Sequence, residues 1–315
     1  MSTPIIIGSE RSEAGLPRAW ELLSQGASAL DAVEAALRDC EDNVNDHYVG
    51  TAGLPNARGE IELDASLMVG SSRAFAAVGA VKNYPHPISI ARRVLEVLPQ
   101  HCLLVGEGAE LFAQEQGFET ADLMTEETWE MFREQLKVSR DSVEGENTLS
   151  APGDDIYRVT ALELVRRFRP HDGPWGTINV IALDEHGEMV SGVSTSGYPW
   201  KYPGRIGDSA IVGAGNYCDL RFGAAACTGR GELAMRVTGA RMVVDGLARG
   251  LEPDDACRTM LREAGDLPDP FRAELRTLCL TPDGRHGGAS GQPGSTYNLI
   301  TPDTDGVQAI ARVQL

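Results

Sequence analysis

Apolar and polar positions along this chain come in short blocks whose spacing changes from one segment to the next. Ile5, Ile6 and Ile7 form an apolar run closed by Gly8, which predicts a buried strand. Helix formers fill 17–23 and stop at Gly26, a residue suited to the position just past a helix end. Ser28 can cap the next helix, and Asp31 falls in its first turn, where a negative side chain suits the dipole. Leu30, Val33 and Leu37 continue one apolar face of that helix. Residues 49–59 are rich in Gly, Pro and Asn and read as turns. Strands are expected at 61–68, 79–81 and 102–106, and helices at 88–98, around 109–116 and at 126–138. Residues 139–156 are polar, acidic and Gly-containing and predict a loop outside the core. A short helix at 159–168 and a turn-rich lead-in at 169–176 follow. The second half opens with strands at 177–183 and 189–195, joined by the hairpin-like Asp184-Glu185-His186-Gly187. A long helix at 231–248, another at 253–263, and strands at 278–281, 297–301 and near 307–313 complete the pattern. Strands, then helices, then strands predict an α/β fold, a four-layer α-β-β-α sandwich forming one domain over 1–315. No internal repeat is visible.

Composition narrows the class. The chain has 315 residues, 42% of them apolar, with 35 glycines, as in ordinary globular proteins. A net charge of −18 argues against nonspecific nucleic-acid binding, which needs clustered Lys and Arg. The six cysteines are scattered, with no C-x-x-C pair and no zinc-like spacing to histidine, so reduced and mostly buried thiols are expected, with no metal and no cofactor. The first residues lack a basic segment followed by a long apolar one, and no apolar run nears the roughly 20 residues of a membrane helix. A cytoplasmic location without membrane contact is the expectation.

The candidate chemistry is concentrated between Gly176 and Glu232. Five polar elements occur in order: Gly176-Thr177-Ile178-Asn179-Val180, Ser194-Thr195-Ser196-Gly197, Gly204-Arg205-Ile206-Gly207-Asp208-Ser209, Gly213-Ala214-Gly215-Asn216-Tyr217-Cys218-Asp219 and Cys227-Thr228-Gly229-Arg230-Gly231-Glu232. Taken singly, each is ordinary. Thr177 could simply open a strand, Thr195 and Thr228 could end strands, and Arg205 with Asp208 could be a surface ion pair. Glycines between them would let a backbone approach a small ligand closely. The six histidines form no triad with a G-x-S-x-G serine.

Together the five elements resemble the catalytic half of the N-terminal-nucleophile asparaginases, the group of glycosylasparaginases and isoaspartyl peptidases. Asn45-Asp46-His47-Tyr48-Val49-Gly50, Gly53-Leu54-Pro55-Asn56, Leu63-Asp64-Ala65-Ser66-Leu67-Met68, Ile88-Ser89-Ile90-Ala91-Arg92 and Leu103-Leu104-Val105-Gly106-Glu107-Gly108-Ala109 extend the resemblance through the first half, toward the glycosylasparaginase branch. The resemblance implies a precursor that cuts itself between Gly176 and Thr177, giving an alpha chain 1–176 and a beta chain 177–315. Thr177 would become the nucleophile, with its own α-amine, of pKa roughly 7.7–8.0, as base. It further implies that Thr195 tunes Thr177, that Arg205 grips a substrate α-carboxylate and Asp208 its α-ammonium, and that Thr228 and the N–H of Gly229 form an oxyanion hole that also binds substrate.

The chain departs from the glycosylasparaginase pattern in three places. Gly8-Ser9-Glu10 supplies no tryptophan after the first strand. The junction is Gly-Thr, as in the isoaspartyl branch, with His171-Asp172 displaced upstream. Tyr48 replaces a small hydroxyl residue before Val49-Gly50. The implied activity is a glycosylasparaginase-like amidohydrolase on a small asparagine derivative, acting as a homodimer of the processed unit. An isoaspartyl peptidase or L-asparaginase is the alternative enzyme. An unprocessed pseudoenzyme holding an amino-acid-like ligand is the alternative of another class.

Overall fold

In the computed structural model of the chain, residues 2–141, 159–168, 176–271 and 274–315 are described, the side chains of 138–141 excepted. The strands in chain order are β1 (Ile5–Gly8), β2 (Leu63–Val69), β3 (Phe75–Val81), β4 (Leu103–Val105), β5 (Ile178–Leu183), β6 (Met189–Thr195), β7 (Asn216–Asp219), β8 (Gly223–Gly229), β9 (Leu275–Leu280), β10 (His286–Ser290), β11 (Thr296–Ile300), β12 (Gln308–Ala311) and β13 (Val313–Gln314). The helices are α1 (Leu16–Ser24), α2 (Ala29–Glu41), α3 (Pro87–Val97), α4 (Gly106–Glu115), α5 (Glu126–Asp141), α6 (Ala161–Arg167), α7 (Gly231–Val237), α8 (Gly239–Ala248) and α9 (Pro253–Gly265). They make a mixed α/β fold with two large sheets. One sheet has eight strands in the order β12-β11-β1-β5-β6-β2-β3-β4, and the other five in the order β13-β10-β9-β8-β7.

Local chemistry sets the helix starts. Ser28 Oγ accepts the Asp31 N–H at 3.1 Å and caps α2 as the sequence implies. Proline stands in the first turn of α1, α3 and α9, where its missing N–H costs nothing. Thr160 and Glu163 close a capping box at α6.

Burial follows the strand period of two. On β5, Ile178, Val180 and Ala182 pack with Val33 and Leu37 of α2 in one apolar cluster. Ile181 and Leu183 turn to the opposite face and join Ala225, Cys227 and Leu278 of the second sheet in another. That second cluster continues under Val243 of α8 and Met260 of α9. A third, smaller cluster gathers Tyr48, Leu54, Phe132, Leu164, Phe168 and Trp200, with the Phe132 ring 6.3 Å from Phe168 and 5.8 Å from Trp200. It holds α5 and α6 beside the end of β6.

Three differences from the sequence reading have physical causes. Strands β8 and β10 escape it, because Gly223-Ala224-Ala225-Ala226 and Gly287-Gly288-Ala289 lack branched or aromatic residues, and β7 escapes it because Asn216-Tyr217-Cys218-Asp219 is short and polar at both ends. Small side chains serve in β8 and β10 because α8 lies on β8, and α9 on β10. The single long helix expected at 231–248 is two helices that break at Thr238, whose φ is 50°. Of the loop expected at 139–156, residues 139–141 belong to α5 and the rest lie outside the described residues, as do 169–175 of the lead-in. Among the described residues no helix is long and apolar enough to cross a membrane. All six cysteines are free, and five of them are buried.

Left-handed backbone at a β-branched residue is costly, by about 1–2 kcal/mol. Thr238→Gly is therefore expected to stabilise the fold by about 1 kcal/mol, read as a rise in melting temperature. An unchanged or lower value would mean that the break between α7 and α8 carries no such strain.

Candidate active site

Sheet register brings the candidate residues to one end of the central strands of the first sheet. Gly8 pairs with Val180, Ile178 with Ser194, and Asp64 with Thr195. The end of β1, the start of β5, the end of β6 and the start of β2 therefore meet there. Thr228 is next to last in β8 of the facing sheet. A narrow pocket at this end is lined by Gly176, Thr177, Thr195, Arg205, Asp208 and Gly229, among others, with a free volume of about 20 Å³. That is room for about one water molecule. Thr228 is buried behind Gly229.

The Thr195 hydroxyl is the hub. It accepts from Thr177 Oγ1 at 3.3 Å and from the Gly197 N–H at 2.9 Å. It donates to the carbonyl of Gly176 at 3.1 Å, with the Tyr48 carbonyl at 3.4 Å as a weaker alternative. One buried hydroxyl thus touches both the hydroxyl and the carbonyl that flank the Gly176–Thr177 bond. The carbonyl of Thr177 accepts from Ser9 Oγ at 3.0 Å, and Ser9 Oγ accepts the Asn179 N–H at 3.0 Å. The junction is therefore fixed from β1 as well as from β6.

Gly176 is glycine for a steric reason. A Cβ there would lie 2.0 Å from Cβ of Tyr48 and 2.2 Å from its Cγ. Gly229 has φ 118°, and a Cβ on it would meet the Glu274 carbonyl oxygen at 2.2 Å.

Arg205 and Asp208 both reach the pocket, but not as a surface ion pair. Arg205 Nε and Nη2 donate to Oε1 of Glu232 at 3.1 and 2.9 Å. Glu232 in turn sits 2.8 Å from Arg230 Nη1, and Arg230 Nε reaches Asp269 at 3.0 Å. Asp208 opens a short 3₁₀ turn and is buried, and its Oδ2 has no hydrogen-bond partner among the described residues. Burial pushes its carboxyl up to about 7, against the opposing pull of Arg205, while Glu232 and Asp64 raise it further. Asp64 accepts the Gly207 N–H at 3.2 Å and the Ala80 N–H at 2.9 Å, bracing the turn from below. Lys201 is buried nearby, with Nζ donating to the Glu62 carbonyl at 2.9 Å, and burial lowers its pKa.

Ser9, Asn179 and Glu232 were not singled out by the sequence pattern. Asn179 carried a signal: it is a polar residue on the face of β5 that Ile181 and Leu183 bury between the sheets. Among the described residues no group of three or more His, Cys, Asp and Glu side chains could hold a metal ion.

The chain is similar to known proteins over most of its length. The sequence pattern of the asparaginase family matches residues 10–285. An N(4)-(beta-N-acetylglucosaminyl)-L-asparaginase of Elizabethkingia miricola is 37% identical over 240 residues, covering 76% of this chain and 63% of that protein, so the match leaves over a third of that relative uncovered. The mouse protein of the same name is 33% identical over 294 residues, covering 91% of this chain and 84% of the relative. An isoaspartyl peptidase/L-asparaginase of Xenopus laevis is 34% identical over 250 residues, covering 77% and 72%.

The buried carboxyl of Asp208 gives a pH prediction. Its pKa is higher folded than unfolded, so both states are protonated below about pH 4 and its burial then costs no stability. The cost grows as pH rises and is complete above the folded value of about 7. Asp208→Asn should therefore match the parent protein at pH 4 and exceed it at pH 8 by on the order of 2–4 kcal/mol. Melting curves across this range check it. A difference independent of pH would mean that Asp208 is not held against its charge.

Proposed function

The chain belongs to the asparaginase family, and we propose that it is a self-processing N-terminal threonine amidohydrolase that cleaves the side-chain amide of asparagine derivatives. The observation that carries this reading is the Thr195 hydroxyl, which donates to the Gly176 carbonyl while accepting from Thr177 Oγ1. That is the arrangement an intramolecular attack needs: a polarised carbonyl beside a held nucleophile.

In maturation, Thr177 Oγ attacks the Gly176 carbonyl carbon. The C–N bond breaks, the hydroxyl proton passes to the departing nitrogen, and an ester joins Gly176 to Thr177. Water hydrolyses the ester, leaving a Gly176 carboxylate and a free α-amine on Thr177. The products are an alpha chain 1–176 and a beta chain 177–315, within the four-layer α-β-β-α arrangement of the N-terminal-nucleophile hydrolases. A pocket with room for one water admits no amino acid, so removal of the Gly176 carbonyl from its mouth also opens the site.

In turnover the α-amine takes the proton of Thr177 Oγ as that oxygen attacks the substrate side-chain amide carbon. The negative oxygen that develops is met by the Thr228 hydroxyl and the Gly229 N–H. The amine leaves with the proton, an aspartyl ester remains on Thr177, and water releases L-aspartate. Arg205 holds the substrate α-carboxylate through Nη1, the nitrogen that Glu232 leaves unoccupied. Asp208, buried and without a partner on Oδ2, holds the α-ammonium and is ionised by that contact. The leaving group in this reading is a glycosylamine, supported by the name N(4)-(beta-N-acetylglucosaminyl)-L-asparaginase that the bacterial and mouse relatives carry. The Gly176–Tyr48 contact favours a second reading, an isoaspartyl peptidase or L-asparaginase, because it fixes the Gly-Thr junction of that branch.

Purified without protease, the chain should give two masses that meet at Gly176/Thr177, and Thr177→Ala should stay one chain. A cleaved Thr177→Ala protein would remove Thr177 from the mechanism. Arg205→Ala should mature normally yet bind substrate more weakly by about 2–5 kcal/mol, with KM rising far more than kcat falls. Equal hydrolysis of free and α-esterified asparagine would contradict the assignment of Arg205.

A further inference from the structure

We propose that Asn179 is a positioning residue that aims the proton of the Thr228 hydroxyl at the substrate. This rests on the oxyanion role given to Thr228 above. Asn179 Nδ2 lies 2.9 Å from the carbonyl oxygen of Cys227 and 2.7 Å from Thr228 Oγ1. A carbonyl oxygen only accepts, so the amide atom facing Cys227 is the nitrogen and not Oδ1. The same nitrogen then donates to Thr228 Oγ1, which fixes that oxygen as an acceptor on the Asn179 side. Its own proton points elsewhere, and no acceptor for it occurs among the described residues. An oxyanion donor needs this state: a hydroxyl whose lone pair is occupied and whose proton is unspent.

The backbone places the device. Asn179 is two residues from Thr177, so both side chains leave the same side of the strand, toward β8. The Asn179 N–H is itself tied to Ser9 Oγ at 3.0 Å, which also donates to the Thr177 carbonyl. The nucleophile and the group that aims Thr228 are therefore held by one serine. Asn179 is fully buried, and its Oδ1 has no partner among the described residues. A buried amide that leaves its acceptor unsatisfied is a poor choice for stability alone. Its two donated bonds account for its presence.

The test is a double-mutant cycle on matured protein, with kcat referred to the cleaved fraction measured by mass spectrometry. Asn179→Asp keeps the shape and replaces the donor by an acceptor that captures the Thr228 proton. With a β-aspartyl anilide, kcat should fall by about 10²-fold with KM little changed, close to the loss from Thr228→Val. In the Thr228→Val background the same substitution should cost almost nothing. Asn179→Ala removes the donor without adding a carboxylate and should show a smaller kcat loss that likewise vanishes with Thr228→Val, so it carries the cycle if the aspartate variant fails to fold. An unchanged kcat in a folded variant overturns the role, and so does a loss of equal size in both backgrounds, which would mark Asn179 as structural. A parent protein that hydrolyses neither asparagine nor the anilide contradicts the proposed function itself, and this role with it.

Discussion

The hydrogen bonds of one buried hydroxyl, that of Thr195, hold the junction in place. Its oxygen accepts from Thr177 and from the Gly197 backbone, and its single proton goes to the Gly176 carbonyl. The pairing of β5 with β6 brings these groups together, since Ile178 opposes Ser194 in the register. A slip of one residue would turn every side chain on the strand to the other face. Both faces of β5 are buried, one on α2 and the other on the second sheet, and a slip would carry Asn179 from its partners Cys227 and Thr228 to the apolar α2 face. Strand pairing thus sets the position of the Thr177 hydroxyl to within the reach of a hydrogen bond.

The same constraint explains two departures from the family pattern at once. Tyr48 is larger than the residue the pattern expects, and Gly176 is smaller. The Tyr48 Cβ and Cγ occupy the space that a side chain at 176 would need. The Tyr48 carbonyl also accepts the Ser196 N–H at 2.7 Å, so the tyrosine is pinned to β6 beside Thr195. Tyr48 and Gly176 thus fit each other beside the contacts of Thr177. Across the pocket the site stores cost of another kind. Asp208 is buried without a partner on Oδ2, and Arg205 is held by Glu232 instead. Groups kept poorly satisfied in a closed pocket are suited to a charged ligand that satisfies them.

Much of this was legible in the sequence, for identifiable reasons. The apolar run over 178–183, broken only by Asn179, marks β5, and Ser28 with Asp31 fixes the start of α2. The order of Thr177, Thr195, Arg205, Asp208 and Gly229 along the chain anticipates that they share a pocket. The strands rich in alanine and glycine were not legible, because small residues are chosen there for the helix lying above them, which is a long-range fact. Thr238 breaks a helix through its backbone angle, with no proline or glycine at that position to announce it. Glu232 and Asn179 were hidden because their partners, Arg205 and Thr228, lie far away in sequence.

In the mechanism we propose, Thr177 Oγ, freed at a new N-terminus, forms the bond to the substrate. Acid quenching of matured protein during turnover of a β-aspartyl anilide, followed by peptide mapping by mass spectrometry, addresses it directly. An aspartyl ester is expected on the peptide that begins at Thr177. An aspartyl adduct on any other residue, or steady turnover by a chain still intact across Gly176–Thr177, would contradict it.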